Sequence, residues 1–234
     1  GLVLGFFAIT CTYLLPYLPV LGRHIDKQLH AGSAQVGFRF NSFIALALTD
    51  RMGGPEAMLM IAVLIGVCVP LFNVAAVWPM ARHGQRGFVR ELLRNPLIIA
   101  TASGLAANLL GLQIPSWTEP TLQRIGGASL ALGLMAAGAG LQLGALAQGK
   151  ALAVGLLSIR HFMTPVLAWC LVPWFDLDAS QATVLLSFSA LPTASSAYVL
   201  AARMGYNGAY VAGLVTLSTL LGMLSLPFAL GVLR

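Results

Sequence analysis

Almost the whole sequence consists of long apolar runs, which short charged or glycine- and proline-containing stretches separate. A helix needs about 20 predominantly apolar residues to cross a bilayer, and hydropathy gives eight runs near that length. Hydrophobic residues make up 58% of the chain and charged residues only 9%, against about 25% charged residues in soluble domains. A soluble fold is therefore excluded, and we predict an all-α integral membrane protein. The predicted spans are residues 1–21, 33–50, 57–80, 96–112, 124–144, 151–175, 180–203 and 208–232.

The connections between these runs alternate in charge. Because positively charged loops stay in the cytoplasm, the basic connections are predicted to be cytoplasmic and both termini extracytoplasmic, in a multi-pass protein of the cell inner (plasma) membrane. The net charge of +6 mainly anchors these loops, and no basic tail indicates a nucleic-acid partner. The basic connections hold Arg23 with Lys27, Arg82 to Arg94, Lys150, and Arg203, and the acidic ones hold Asp50 with Glu56, Glu119, and Asp176 with Asp178.

A short motif recurs, with Arg51, Met52 and Gly53 repeated as residues 203–205 at the end of another apolar run. The predicted topology places the first copy outside and the second inside, so the copies have opposite orientations. Inverted repeats are typical of secondary transporters, and a chance recurrence is the alternative. The repeat predicts three spans and a cytoplasmic loop of a first repeat in residues 1–90, and a second repeat of five spans in residues 91–234. Two further spans before the first residue would complete it, so we expect eight of ten transmembrane helices here.

Pro192 lies in the middle of the run 180–203, among hydroxyl-bearing and small residues. A proline removes a backbone N–H and clashes with the preceding turn, so we expect the helix to break there. The break would leave free amides near Ala194 to Ser196, and amides at a helix N-terminus attract anions. A simple proline kink packed against neighbouring helices is the alternative.

The mirrored segment, residues 37–42, contains Arg39 and Asn41. An arginine at membrane depth is costly unless it faces protein or water, which makes Arg39 a candidate functional residue. Snorkelling of its side chain to the cytoplasmic interface is the alternative.

Arg160 and His161 lie near the centre of the run 151–175, where snorkelling is hardest. Guanidinium groups bind carboxylates in a bidentate manner, so Arg160 and Arg39 are candidate anion ligands. His161 is a candidate for proton coupling, and a structural, hydrogen-bonded histidine is the alternative.

Motifs for enzymatic chemistry and for metal binding are missing from the sequence. Cys11, Cys68 and Cys170 lie singly in apolar runs, without the spacing of a zinc site or a disulfide framework. GxSxG, HExxH and Walker motifs are also missing. We therefore expect no enzyme, no metal and no cofactor. Small residues concentrated in the run 124–144 predict close helix packing, within the chain or in a homodimer.

Three segments carry a resemblance to a known family: RNPLIIA at residues 94–100, GFRFN at 37–41 and LPTA at 191–194. Together they resemble the auxin efflux carrier family of bacterial permeases, including malonate-transporter-like proteins, over essentially the whole chain. The family shares the fold of the bile-acid sodium symporters, so the resemblance implies two inverted five-span repeats. It also implies that two broken helices cross at the substrate site, here at residues 37–42 and 191–196. Phe40 departs from the pattern, because plant relatives have a proline at that point.

Residues and resemblance together predict a secondary active transporter (permease) of small organic anions such as carboxylates, which works by alternating access. We expect H+ or Na+ as the coupling ion. An uncoupled anion channel and a non-transporting membrane sensor or assembly subunit are the alternatives. The predicted substrate-binding residues are Arg39, Asn41, Arg160, Pro192, Thr193, Ser195 and Ser196, with His161 as the proton-coupling candidate.

Overall fold

The computed structural model describes residues 1–52, 54–83, 96–139 and 149–232, and these residues form helices joined by short connections. The Arg86, Arg90 and Arg94 connection, Gly53 of the repeated motif and the end of the predicted run 124–144 lie outside the described residues. We number the α-helices α1 Leu2–Leu14, α2 Lys27–Ser33, α3 Ser42–Met52, α4 Gly54–His83, α5 Pro96–Leu109, α6 Glu119–Ala139, α7 Lys150–Ser158, α8 Thr164–Trp174, α9 Ala179–Ala190, α10 Ser196–Arg203 and α11 Gly208–Gly231.

Three helical stretches in the described part of the chain are long and apolar enough to cross a membrane, at Gly54–Arg82, Lys150–Trp174 and Gly208–Gly231. The first and third are α4 and α11, and the second runs from α7 to α8 through a π-helical turn, Ile159–Met163. Shorter helices occupy the other predicted runs, so eight spans and the inverted repeat stay predictions. Residues 1–21, for example, form α1 and then a 3-10 turn, Leu15–Tyr17, where Pro16 ends the α-helix.

Two of the predicted spans are interrupted in their middle. In the first, a 3-10 turn, Ala34–Gly37, follows α2, and residues 38–41 leave the helical conformation before α3 begins. In the second, α9 ends at Ala190, residues 191–195 are not helical, and α10 begins at Ser196. The break predicted at Pro192 is therefore confirmed, and the mirrored segment also breaks although it has Phe40 instead of a proline.

Side-chain caps fix where the interrupted helices begin. The Asp26 carboxylate accepts the Leu29 N–H at 2.7 Å at the start of α2. Asp178 and Gln181 form a capping box at the start of α9. Such caps satisfy N–H groups that have no partner inside the helix.

Buried phenylalanines hold the first interruption between α4 and α9. The ring centroid of Phe40 lies 4.7 Å from that of Phe188 and 5.9 Å from that of Phe72, both in edge-to-face geometry. Phe38 also packs edge-to-face on Phe72, with centroids 5.8 Å apart. Each aromatic pair of this kind contributes about 0.5–1.5 kcal/mol beyond simple burial. The non-helical segment is thus packed tightly although it lacks helical hydrogen bonds.

A glycine allows α1 to approach this segment. A Cβ atom on Gly37 would lie only 2.3 Å from Thr12 Oγ1. Helices α9 and α10 pack against α11 on the other side, and α4 packs against α3 and α9. The two interruptions therefore lie at the centre of the packed part of the molecule.

Candidate functional site

The two non-helical segments are hydrogen-bonded directly to each other. The Asn41 N–H donates to the Pro192 carbonyl at 2.9 Å. In return, the Thr193 hydroxyl donates to the Val36 carbonyl at 2.7 Å. We call this region, residues 36–42 and 191–196, the junction. Each segment thus gives a hydrogen-bond partner to a backbone carbonyl of the other, at a point where that segment is not α-helical.

The carbonyl groups of residues 188–191, at the end of α9 and just after it, find partners outside their own helix. Pro192 has no N–H to offer the Phe188 carbonyl, and the last four carbonyls of any helix lack intrahelical donors. Arg160 replaces the missing donors, because its Nη2 lies 3.2 Å from Phe188 O and its Nε 2.7 Å from Leu191 O. The Thr164 hydroxyl donates to Ser189 O at 3.1 Å, and the Ser225 hydroxyl to Ala190 O at 3.1 Å.

Arg160 thus acts as a cap for a broken helix in the observed conformation. It is 3% exposed, and its guanidinium donates to two backbone carbonyls. Hydrogen bonds from a charged donor are stronger than neutral ones, about 1.5–3 kcal/mol each. The π-helical turn of residues 159–163 carries this arginine, and single π-turns are frequent at functional sites.

His161, the next residue, is bonded through both ring nitrogens. Its Nδ1 lies 3.0 Å from Ser225 Oγ and its Nε2 lies 2.8 Å from Ser218 Oγ. Because the Ser225 hydroxyl gives its hydrogen to the Ala190 carbonyl, Nδ1 is the donor to Ser225. Ser218 already accepts the Thr193 N–H at 2.9 Å, so its own hydrogen is available for Nε2. The network fits a neutral imidazole, assigned from hydrogen-bond geometry.

A cavity of about 180 Å³ opens on the other face of the junction. Polar side chains and a helix start form one wall, and aromatic and aliphatic side chains form much of the rest. Its lining residues are Arg39, Phe40, Asn41, Ser42, Phe43, Val69, Phe72, Asn73, Ala194, Ser195 and Ser196.

Arg39 is the one cation among these lining residues, and it is 5% exposed. Its Nη1 donates to Gln35 Oε1 at 2.7 Å and its Nη2 to Ser196 Oγ at 3.0 Å. Gln35 is held in turn by donating to the Ala197 carbonyl at 3.0 Å. Within the described ranges, no carboxylate forms an ion pair with this guanidinium. A buried charge without a counter-ion costs several kcal/mol, so an anion entering the cavity would relieve that cost.

The two helix starts at the cavity differ in how they are capped. Asn41 Oδ1 accepts the Phe43 and Ile44 N–H groups at 3.1 and 3.2 Å, which closes the start of α3. Ser195, at the start of α10, makes no side-chain cap. The Ala197 N–H there donates to the Ala194 carbonyl at 3.0 Å, and the helix dipole at this start favours a negative charge. The Arg39 guanidinium also lies at the start of α10, because it donates a hydrogen bond to Ser196 Oγ.

Asn73 on α4 was missed by reasoning from sequence. It is 1% exposed, it lines the cavity, and its side-chain Nδ2 is a buried donor without a hydrogen-bond partner. The signal was its position: an amide in the middle of the run 57–80, which is otherwise almost entirely apolar. Polar side chains at membrane depth are functional candidates by default.

The structure therefore separates the residues predicted from sequence into two groups. Arg39, Asn41, Ser195 and Ser196 line one cavity. Pro192, Thr193, Arg160 and His161 do not line it and form the hydrogen-bonded support behind it. The two arginines do not share a cavity in this conformation. In the part of the chain that the structure describes, no cluster of three or more histidine, cysteine or acidic residues could hold a metal ion.

Comparison with known proteins agrees with the fold and the family resemblance. A family model described as membrane transport protein matches residues 26–230, which is most of the chain and includes both interrupted helices. No curated protein matches the sequence. Because the match covers well over half of the residues, the chain belongs to the membrane transport family of the auxin efflux carriers.

Proposed function

We propose that this membrane transport protein is a secondary carrier of small organic anions such as carboxylates, which bind in the cavity beside Arg39. The observation that carries the proposal is the buried Arg39 guanidinium, which faces a small cavity and an uncapped helix start without an acidic partner in the described chain. A guanidinium matches a carboxylate in shape and charge.

The anion would lie against the start of α10. One carboxylate oxygen would accept from Arg39, and the other from the hydroxyl or amide groups of Ser195 and Ser196, all of which line the cavity. Asn41 supports the site differently, because its amide oxygen already accepts two backbone N–H groups. We assign it the role of holding the start of α3 beside the ligand.

We propose that Arg160, Pro192 and Thr193 position the site without touching the ligand in this conformation. Arg160 connects the π-helical turn to the end of α9 by hydrogen bonds. Thr193, in the non-helical segment after α9, donates a hydrogen bond to Val36 of the other segment. Interrupted helices that meet at a binding site are typical of secondary transporters, in which one part of the protein moves against another to give alternating access.

His161 remains our candidate for coupling to a proton gradient, with Na+ as the other candidate ion. A proton on Nε2 would turn that nitrogen from an acceptor into a donor, so Ser218 Oγ would accept from both Nε2 and the Thr193 N–H, and the Ser218 hydrogen would lose its acceptor. Protonation would thus disturb the support of the junction directly behind the anion cavity.

Proteoliposome uptake of radiolabelled carboxylates tests the proposal. The full chain should concentrate a short carboxylate above its external level when a proton or sodium gradient is imposed. Arg39→Gln should lower uptake at least about tenfold, since it removes the single charge that lines the cavity. Arg124→Gln is the matched control, because Arg124 is an exposed arginine of α6 outside the cavity.

The same experiment separates the alternatives. Flux that only equilibrates the anion, under either gradient, would indicate an uncoupled channel. Uptake that is unchanged in Arg39→Gln would contradict the assignment of the site. No uptake of any carboxylate would contradict the proposed function and favour a sensor or an assembly subunit.

A further inference from the structure

The charge of the cavity lining favours a ligand with a single negative charge. Arg39 is the one basic side chain that lines it, and Arg160 is occupied by two backbone carbonyls elsewhere. A second carboxylate on the ligand would find no second cation among the lining residues, only uncharged polar groups and the apolar side chains of Phe40, Phe43, Val69 and Phe72. Removing a charge from water without a partner is expensive. A dicarboxylate is therefore a poor fit.

The cavity is partly open, and its own volume accommodates only a few atoms of a ligand. The cavity of about 180 Å³ corresponds to roughly six water molecules at about 30 Å³ each in the liquid. A carboxylate group takes three of about six non-hydrogen atoms, which leaves room for only a short body. A ligand of this size that contacts Arg39 on one side of the cavity also reaches the wall formed by α4.

That wall presents one polar group among apolar ones. Asn73 lies on α4 with Val69 and Phe72, and its Nδ2 is a buried donor without a partner. Buried amide donors are nearly always paired, so the unpaired Nδ2 of a residue that lines a cavity points to an acceptor on the ligand, which the buried donor would reach when the side chain turns toward the cavity. The apolar neighbours fit the carbon atoms on either side of that acceptor.

We infer that the cavity selects short monocarboxylates that carry an oxo or hydroxyl oxygen close to the carboxylate, and that Asn73 recognises that oxygen. The inference rests on the proposed function, because it takes Arg39 as the carboxylate ligand. Asn73 is then the specificity-determining residue. It distinguishes substituted acids from plain ones, whereas Arg39 binds both.

Binding measurements on the purified full chain test this inference with four matched acids: propionate, pyruvate, lactate and malonate. Isothermal titration should give pyruvate or lactate about tenfold tighter binding than propionate, the effect of about one neutral hydrogen bond, and malonate weaker binding than either. Asn73→Leu, which keeps the side-chain size, should abolish the preference for pyruvate and lactate over propionate, whereas the control Arg124→Gln, outside the cavity, should keep it.

Several results would overturn the inference. Equal binding of propionate, pyruvate and lactate by the unsubstituted chain would do so without any variant, and so would tighter binding of malonate. An equal loss for all acids in Asn73→Leu would show that Asn73 contacts the carboxylate itself. Asn73→Gln, which keeps an amide donor, should retain part of the preference if Asn73→Leu fails to fold. The proposed function itself fails only if none of the acids binds or if Arg39→Gln leaves their binding unchanged.

Discussion

Substitution of Arg160 separates a supporting arginine from one that binds the anion. Arg160→Gln removes the charged donors that lie 2.7 Å from Leu191 O and 3.2 Å from Phe188 O. Both carbonyls lie in the buried break of α9, where a glutamine at residue 160 is too short to reach both. At about 1.5–3 kcal/mol for each hydrogen bond from a charged donor, the expected loss is about 3–6 kcal/mol.

A loss of this size is measurable in detergent or nanodiscs. For a chain of 150–250 residues, each kcal/mol lowers the melting temperature by about 2–4 °C, so Arg160→Gln should lower it by roughly 6–24 °C. Arg160→Lys keeps the charge but has no planar guanidinium to reach two carbonyls. Its melting temperature should lie between those of Arg160→Gln and the unsubstituted chain. Arg39→Gln should lose anion affinity, and its melting temperature should fall less than that of Arg160→Gln.

The two arginines should differ in what their substitution changes: stability for Arg160 and anion binding for Arg39. Pyruvate binding by Arg160→Lys, measured at a temperature where this variant is folded, should stay within about threefold of the unsubstituted chain. If Arg160→Lys keeps its melting temperature but loses anion binding, Arg160 is a ligand of the anion. The separation into cavity and support would then be wrong.

Three further predictions concern the support of the junction. Asn41→Asp keeps an acceptor for the start of α3 but adds a carboxylate to the cavity that Arg39 lines. Isothermal titration should therefore show at least about tenfold weaker pyruvate binding, and unchanged binding would contradict the assignment of the site. Gly37→Ala should lower the melting temperature, since its Cβ would lie 2.3 Å from Thr12 Oγ1, and Thr12→Ala should restore most of the loss; a stable single variant would refute this packing. His161→Gln should abolish accumulation driven by a proton gradient while exchange of the anion persists, and accumulation at the original level would exclude His161 as the coupling residue.

The break of the second interrupted helix was predictable, because it follows from covalent chemistry. Pro192 has no N–H, so the helical hydrogen bond from residue 192 to the Phe188 carbonyl cannot form whatever packs around it. The first break was predicted from the mirrored position and the family resemblance alone. Phe40 imposes no break by itself, and the structure shows that aromatic packing on Phe72 and Phe188 holds it.

The division of labour between the two arginines was not predictable from sequence. Both are charges in apolar runs, and hydropathy treats them alike. The two arginines differ because Arg160 lies on the π-helical turn of residues 159–163, which determines where its side chain points. No local sequence pattern predicts such a turn. Asn73 was missed for a related reason: one amide in a long apolar run changes the average hydropathy little, and its unpaired Nδ2 is visible only in three dimensions.

An experimental structure of the full chain with pyruvate or lactate bound would show where the acid lies. We expect density for the acid in the cavity of about 180 Å³, with its carboxylate on the Arg39 guanidinium and the start of α10, and its second oxygen facing Asn73 Nδ2. Arg160 should keep its bonds to the carbonyls of residues 188 and 191 in the same conformation of the protein. Density for the acid on Arg160 instead, with the Arg39 cavity empty, would contradict this assignment of the site.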